Sequence, residues 1–211
     1  ARMPIATLSR WIGTKPDQEK VLRPEIPIGS DKLVTFIDFF QALAVRNIRQ
    51  HTKVSLQKIR EAVNRAAEVY KIDYPLARRH LTYVYGKELF IAPPGAEDDA
   101  EKHIIQLSGK GKNQLPIVPI VEIYMEDVTT WNNEGLPDEY KAFSWSGHDI
   151  LMNPRKRFGE PVVVSCGYTA LALVEACETE GSIDNAAEAY GVTKDEVEAA
   201  YRYFDYLYKV A

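Results

Sequence analysis

The sequence has few of the features that mark secreted, membrane or disulfide-stabilised proteins. Only two of its 211 residues are cysteines, Cys166 in a β-like run and Cys177 in a helical run. This pattern predicts two reduced thiols. No apolar run approaches the roughly 18 to 20 residues of a membrane-spanning helix, and no N-terminal segment has the pattern of a signal peptide. We therefore expect a globular protein of the cytoplasm that does not contact a membrane.

Motifs for catalysis and metal binding are also missing. The thiols form no C-x-x-C pair, and residues 108–114 lack the glycine spacing of a phosphate-binding loop. Cys166 follows Ser165 in an apolar strand without an evident base, which favours a buried, inert thiol over a nucleophile. We predict no catalytic residue, cofactor or metal site, and an enzyme is the least supported class. The four histidines are scattered without metal-ligand spacing: His51, His80, His103 and His148.

Charge is distributed unevenly along the chain. Residues 1–90 hold 16 Lys and Arg against 9 Asp and Glu, whereas residues 91–211 hold 10 against 21. The net charge of −4 therefore combines a basic half with an acidic half. Such an asymmetry suggests two different partners.

Residues 33–70 read as two amphipathic helices in a row. Phe36, Phe40 and Leu43 start an apolar stripe at helical spacing, and Ile59 and Val63 belong to a second one. The segment 51–54 breaks the period, and Ser55 is placed as an N-cap. The polar faces of this pair are basic, which suits a polyanion; the cations are Arg46, Arg49, Lys53, Lys58, Arg60 and Arg65.

The N-terminal segment has the composition of a DNA recognition helix. Pro4 suits a first helical turn, and Leu8 and Trp11 give an inward face. Small and polar residues then point outward, where Thr and Ser can bond bases or phosphates and Arg can reach guanine. An ordinary surface helix is the alternative. The predicted DNA-contacting residues of this helix are Thr7, Ser9 and Arg10.

Residues 14–28 have the pattern of a wing that follows a recognition helix. Three prolines rule out a helix, and short β-capable pieces lie at 21–22 and 26–28. Lys15, Lys20 and Arg23 are predicted to contact phosphates. A solvated loop is the alternative for this segment.

The middle of the chain predicts short elements. A turn or short helix is expected at 75–80, and strands at 87–92 and 102–107 are expected to form one hairpin. A short helix is expected after Pro119, and residues 128–143 read as a strand and turn. We place the domain boundary within 108–146.

The C-terminal part predicts a strand from His148, a basic turn, a β-branched strand and a helix, followed by a helix-turn-helix. In that motif Ala187 and Val197 allow close packing, Gly191 makes the turn and Thr193 with Glu196 forms a capping box. It aligns with the N-terminal unit when Leu8 is placed opposite Val197. Its outward residues are acidic and would repel phosphate, which predicts a retained fold that has lost DNA binding; these residues are Asp195, Glu196 and Glu198.

The last helix carries aromatic residues on two faces, and a small three-helix core can bury only one of them. Tyrosine is common at protein interfaces because its ring is apolar and its hydroxyl tolerates water. Packing within the core and on the surface is the alternative. We predict an interface at Tyr201, Phe204 and Tyr208, and expect it to be the seam of a homodimer.

Two motifs carry a family resemblance that covers nearly the whole chain. A helix ending T-L-x-R-W, a wing, F-I-D-F and V-S-L-Q-K-I-R resemble the winged helix-turn-helix of MerR-like regulators and, more closely, VapB-type antitoxins with a C-terminal domain formerly of unknown function. I-x-x-N-P-x-x-x-F-G-x-P-V-V, followed by G-S-I-D-N-A-A-E-A-Y-G-V-T-K-D-E-V, is similar to that C-terminal domain. In this family another helix precedes the recognition helix, so we expect the first helix of the motif to be missing here.

The resemblance implies a fold that is mainly α with small β hairpins. We expect a winged helix-turn-helix domain at 1–107, a linker at 108–146 and a three-helix antitoxin domain, similar to a helix-turn-helix, at 147–211. The implied function is a type II antitoxin that represses its own operon by binding operator DNA and neutralises a PIN-domain ribonuclease toxin.

Two questions stay open at this stage. Such toxins hold Mg²⁺ with clustered acidic residues, so a cation inserted there could replace the metal's charge. The candidates are Arg155, Lys156 and Arg157, of which Arg155 and Arg157 are predicted at the interface, and the alternative is a solvated turn. The alternative function is a stand-alone MerR-like transcription regulator whose C-terminal half dimerises or senses a ligand.

Overall fold

The computed structural model describes residues 3–13, 20–26, 34–79, 81–92 and 117–208. These residues form seven α-helices and two small antiparallel sheets, so the fold is mixed α/β. They divide into two compact units. Unit 1 contains the described residues up to Asp127 together with Trp131–Pro137, and unit 2 contains Val128–Thr130 and the residues from Asp138 onward.

Three helices begin unit 1. Helix α1 (Ile5–Ile12) ends at Gly13, whose φ of 77° is the left-handed conformation that glycine adopts without steric cost. Helices α2 (Phe36–His51) and α3 (Leu56–Val69) confirm the helix pair predicted from periodicity. The Ser55 side chain accepts a hydrogen bond from the Lys58 amide, which confirms the predicted N-cap.

The apolar stripes of α2 and α3 form much of the core of unit 1. Phe40, Ile48 and Ile59 are fully buried, as is Leu76 in the 3₁₀ turn Pro75–Ala77. Phe40 also contacts the ring of Trp131 edge-on. Helix α2 begins with a capping box between Thr35 and the buried Asp38.

The first sheet has three described strands. Strand β2 (Glu88–Ile91) pairs with β1 (Thr82–Tyr85) across a tight turn, and β1 pairs on its other side with β3 (Ile117–Pro119). The strand predicted at 87–92 is confirmed by β2, whereas its predicted hairpin partner, 102–107, lies outside the described residues, so that pairing stays a prediction. Thr82, Tyr83 and Val84 are all buried, so β1 lacks the polar alternation that marks a half-exposed strand.

Helix α4 (Ile120–Met125) follows Pro119 as predicted. It leads through the 3₁₀ turn Glu126–Val128 to strand β4 (Thr129–Trp131). The second sheet has the order β4-β5-β6-β7, and its remaining strands are β5 (Pro137–Trp145), β6 (His148–Met152) and β7 (Val162–Val163).

Three helices complete unit 2, namely α5 (Ala170–Glu180), α6 (Ile183–Tyr190) and α7 (Lys194–Tyr208). Ala187 and Val197 share one buried cluster with residues of α5, as the predicted close packing requires. Gly191 makes the turn between α6 and α7 with a φ of 65°. Thr193 and Glu196 exchange hydrogen bonds at the start of α7, which confirms the predicted capping box.

Two further observations bear on the predictions. Residues Val21 and Leu22, expected as a strand of the wing, form a bend, because both of their amides donate to the carbonyl oxygen of Trp11. Most other wing residues lie outside the described part of the chain. Within that part, no helix combines the length and the apolar character needed to cross a membrane.

Candidate functional site

Helix α1 presents the residues predicted to contact DNA on a short, partly exposed surface. Trp11 and Ile12 are buried and fix the helix on unit 1. Arg10 is exposed, whereas Thr7 and Ser9 are half-buried. No acidic residue lies in the first turn of the helix. Arg10 is therefore the residue of this predicted set with the greatest reach.

The segment 20–26 is held against unit 1 by buried polar side chains. The carboxylate of Asp38 accepts from the amide of Glu25 at 3.0 Å, and the amide group of Gln41 donates to the carbonyl of Arg23 at 3.3 Å. Burial raises the pKa of Asp38, although hydrogen bonds from Glu25 and Thr35 oppose that rise. Two side chains of α2 thus fix the backbone of the predicted wing.

The cations of this segment have different surroundings. The aliphatic part of Lys20 covers Gly13, so a Cβ atom at that position would clash with the Lys20 side chain. The guanidinium of Arg23 donates to Asn64 and forms an ion pair with Glu68 at 2.8 Å. A phosphate would have to compete with that carboxylate for Arg23. Lys15 lies outside the described residues.

Part of the basic surface on the helix pair serves the fold. Arg49 donates to the carbonyl of Val54 in the connection between α2 and α3. Arg60 donates to the carbonyl of Lys20 and so helps to hold the segment 20–26. These guanidinium groups satisfy backbone acceptors, although Arg49 is still exposed, as are Lys53 and Arg65.

The loop between β6 and β7 holds the basic residues predicted to face a protein partner. It spans residues 153–161 and closes an antiparallel hairpin in which Ile150 pairs with Val163. Arg157 and Phe158 have φ angles of 48° and 56°, a left-handed conformation that costs a non-glycine residue roughly 1–3 kcal/mol. The side chain of Phe158 is 101% exposed.

Hydrogen bonds fix the shape of this loop. The side chain of Asn153 accepts from the amide of Arg155, and its carbonyl accepts from the amide of Lys156. The amide of Gly159 donates to Lys156 at 3.1 Å, and the amide of Glu160 donates to Arg157 at 3.0 Å. The left-handed turn is thus held by its own backbone.

The three cations of the loop are not equivalent. Arg155 forms an ion pair with Asp138 at 3.0 Å, and Lys156 lies 3.9 Å from the carboxylate of Glu139, both on strand β5. Arg157 is exposed and has no side-chain partner within the described residues. Of the two arginines predicted at the interface, Arg157 is the one whose charge is not already paired.

The aromatic residues of α7 divide into an inner and an outer set. Tyr203 is buried, and its burial, with Tyr140 and Tyr206 nearby, raises its pKa to about 12. Phe204 is partly buried against the same core cluster, where its ring lies 5.4 Å from that of Tyr203. Tyr201 and Tyr208 are exposed, by 43% and 74%. Of the predicted interface residues on this helix, these two are the most accessible.

A polar cluster connects β6, the loop after β7 and α7. Nδ1 of His148 lies 2.9 Å from the hydroxyl of Ser165, and that hydroxyl helps to lower the pKa of the nearby Glu196. In a Ser-His-Asp triad the histidine lies between serine and carboxylate, whereas here the serine does. Burial raises the pKa of the adjacent Cys166, which lowers its thiolate fraction.

Other types of site lack support in the described residues. They contain no group of three or more His, Cys, Asp or Glu side chains placed to hold a metal ion. A groove of about 360 Å³ lies between α3 and β2, and an ion pair between Lys58 and Glu88 is part of its lining. Its two basic and two acidic side chains give it no preference for a charged ligand of either sign.

Sequence reasoning missed three of the residues that shape these surfaces. Asp38 and Gln41 look like members of an amphipathic helix, although the T-x-x-D spacing of Thr35 and Asp38 is a capping signal. Phe158 is a single aromatic residue in a basic turn, and no periodicity predicts its exposure.

Comparisons with known proteins identify a similar fold and no family. The sequence matches no protein-family model, and no curated protein is significantly similar to it. The structure is similar to the X-ray crystal structure of Rv2018 from Mycobacterium tuberculosis, with a TM-score of 0.62 over 94% of this chain and 91% of that chain. The two sequences are 19% identical, so the likeness shows the shared fold alone.

Proposed function

We propose that this protein is a type II antitoxin that binds operator DNA through unit 1 and a PIN-domain ribonuclease toxin through unit 2. The observation that carries the proposal is the presence of two different exposed surfaces on separate units. Unit 1 has a short helix with an exposed Arg10, and unit 2 has a hydrogen-bonded loop whose exposed Arg157 has no side-chain partner in the described part of the chain. The resemblance to VapB-type antitoxins supplies the identity of the two partners.

The DNA-binding part rests on α1 and the segment after it. A helix whose exposed cation is Arg10, with no acidic residue in its first turn, suits the negative potential of a DNA groove. Lys20 lies beside the end of that helix, where a phosphate contact would add affinity without sequence preference. In this proposal Thr7 and Ser9 contribute to DNA binding through hydrogen bonds. The architecture of unit 1 is then that of a winged helix-turn-helix.

The toxin-binding part rests on the β6–β7 loop. A PIN-domain active site concentrates carboxylates, and an arginine carried on a fixed loop can enter such a site without a large loss of conformational entropy. Arg157 fits this role better than Arg155, because Arg155 is paired with Asp138. The three helices of unit 2 then serve as the scaffold, in the manner of a helix-turn-helix whose acidic surface no longer suits DNA.

Co-purification with the product of the neighbouring gene tests the proposal. We expect a stable complex and a loss of ribonuclease activity when this chain is added to the purified partner. A double variant with Arg155→Ala and Arg157→Ala should restore cleavage, and the single variants show which arginine is responsible. If the double variant still inhibits cleavage, the two arginines do not contribute to inhibition.

The alternative, a stand-alone MerR-like transcription regulator, predicts a different pair of results. The chain would form no complex with the neighbouring gene product. It would still bind the DNA upstream of its own gene in a salt-dependent manner, because phosphate contacts release condensed cations.

A further inference from the structure

The most unusual exposed side chain of unit 2 is Phe158, at the tip of the β6–β7 hairpin. Its exposed fraction of 101% means that nothing in the described part of the chain covers its ring. Phenylalanine normally buries much of its surface, and water gains no hydrogen bond from the ring. A ring held in this position is available to a second molecule.

The loop fixes the backbone that carries this ring before any partner arrives. Phe158 and Arg157 both adopt left-handed backbone conformations, and the Gly159 and Glu160 amides close the turn onto Lys156 and Arg157. Backbone strain of this kind persists only when the surrounding structure imposes it, and it is concentrated at binding sites. A preorganised backbone loses little conformational freedom on binding, which favours affinity.

The charges around the ring indicate what it fits. Arg155 and Lys156 are paired with Asp138 and Glu139, so the tip offers one aromatic ring next to one guanidinium that has no side-chain partner among the described residues. An apolar pocket with a carboxylate at its rim complements that pair of groups.

A nucleic acid complements the tip less well. Single-stranded nucleic acids are held by stacking on aromatic rings together with several free cations along the backbone. Here two of the three cations of the loop are paired with Asp138 and Glu139, so their charges are largely compensated and only Arg157 is left to attract phosphate.

We propose that Phe158 and Arg157 form a two-residue anchor, in which the ring enters an apolar pocket of a separate protein and the guanidinium pairs with a carboxylate at the rim of that pocket. The identity of that protein rests on the proposed function, under which it is the ribonuclease toxin. The anchor goes beyond the electrostatic role of the loop arginines, because most of the affinity would come from burying the ring.

The test measures the affinity of the full chain for the co-purified partner. We expect Phe158→Ala and Phe158→Asn to weaken binding at least about 30-fold, mainly through faster dissociation. Asparagine tolerates the left-handed conformation well, so the second variant removes the ring while keeping the loop. Phe158→Leu should lose less affinity, and Arg157→Ala should lose about fivefold. The matched control is Ile123→Ala, an exposed apolar residue of unit 1, which should bind like the wild type.

The possible outcomes are distinguishable. If the wild-type chain binds the partner and Phe158→Ala binds equally well, the anchor is wrong and the antitoxin proposal survives. If the wild-type chain does not bind the partner at all, the proposed function is wrong, and so is the assignment of the toxin as the protein that binds Phe158.

Two further results would overturn the anchor. One is a fall of several degrees in the thermal midpoint of Phe158→Ala without a partner, which would show that the ring packs within this chain. The other is conversion of a dimer into a monomer by Phe158→Ala with partner affinity unchanged, which would show that a second copy covers the ring.

Discussion

Helices α1 and α7 follow the same local plan and present opposite chemistry. Each has an aliphatic residue at the aligned position, the half-buried Leu8 in α1 and the buried Val197 in α7. Helix α7 begins with a capping box and two acidic residues in its first turn, whereas α1 begins after Pro4 without a side-chain cap and has Arg10 in its last turn. Surface positions contribute little to stability, so the surface of such a helix can change sign while its inner face is retained.

The equivalence of the two helices does not extend along their whole length. In the alignment that places Leu8 opposite Val197, the exposed Arg10 falls opposite the buried Ala199, and the buried Ile12 falls opposite the exposed Tyr201. Helix α7 has 15 residues and packs against both α5 and β6, so its buried surface is wider than that of the eight-residue α1. The sequence alignment of the two helices therefore predicts burial in their first turns better than in the later turns.

Charge reversal should give the largest effect that separates the two units. We expect Arg10→Glu to weaken binding to the operator by roughly 5- to 150-fold, because a guanine or phosphate contact is lost and a repulsive charge replaces it. Fluorescence anisotropy with the DNA upstream of the gene, over a series of salt concentrations, measures this change. The matched control is Arg157→Glu, which makes the same change of net charge in unit 2. An equal loss in both variants would mean that only net charge matters.

Removal of the cap should affect one helix and spare the other. Glu196→Ala removes the acceptor for the Thr193 amide and for Ser165, and should lower the free energy of unfolding of unit 2 by about 1–3 kcal/mol. Thr7→Ala, at the aligned position of α1, removes no cap and should change stability by less than about 0.5 kcal/mol. Hydrogen exchange of the amides in α1 and α7 measures both effects. Equal protection of α7 in wild type and Glu196→Ala would contradict this account.

The pH dependence of stability should have opposite signs at the two capping carboxylates. Burial opposes ionisation of Glu196, but hydrogen bonds from Ser165 and Thr193 outweigh it and lower its pKa from 4.5. Its contribution is therefore present above pH 4.5 and is lost as the pH falls through the lowered value. Burial raises the pKa of Asp38 above 3.8, so stability from that group falls as the pH rises from 3.8 through the raised value.

Denaturant unfolding from pH 3 to 7 checks this prediction when each wild-type curve is compared with a neutral variant. The advantage of the wild type over Glu196→Gln should shrink on acidification. The difference in the free energy of unfolding between the wild type and Asp38→Asn should shrink as the pH rises. If both stability differences changed with pH in the same direction, the two carboxylates would not have pKa values shifted in opposite directions.

The outer aromatic residues of α7 should give the smallest effect on stability. We expect the double variant Tyr201→Ala and Tyr208→Ala to unfold within about 0.5 kcal/mol of the wild type, because both side chains are exposed. If they form the seam of a homodimer, light scattering should show half the wild-type mass. An unchanged mass would place the seam elsewhere. Phe204→Ala is the contrasting variant, since that ring packs against the core and its loss should destabilise the fold.

Much of the helical structure was predictable because its causes are local. The spacing of Phe40 and Ile48 in α2, or of Ile59 and Val63 in α3, fixes a buried stripe. Capping signals mark where α3 and α7 begin, since their hydrogen bonds join residues three apart. Pairing of β2 with β1 was missed, because a strand can pair with any compatible segment and the buried residues of β1 show no alternation.

The sequence by itself determined the helix boundaries, the turn at Gly191 and the charge asymmetry between the two halves, all of which depend on composition or on contacts between near neighbours. Only the tertiary structure decided which polar and aromatic groups remain available to a partner. Arg23 is paired because the fold brings Glu68, 45 residues away, to its side, while Arg157 has no side-chain partner among the residues that the structure describes. Phe158 is exposed because it lies at a hairpin tip that no other described residue covers, and that property depends on the strands of the hairpin rather than on the residues around Phe158 in the sequence.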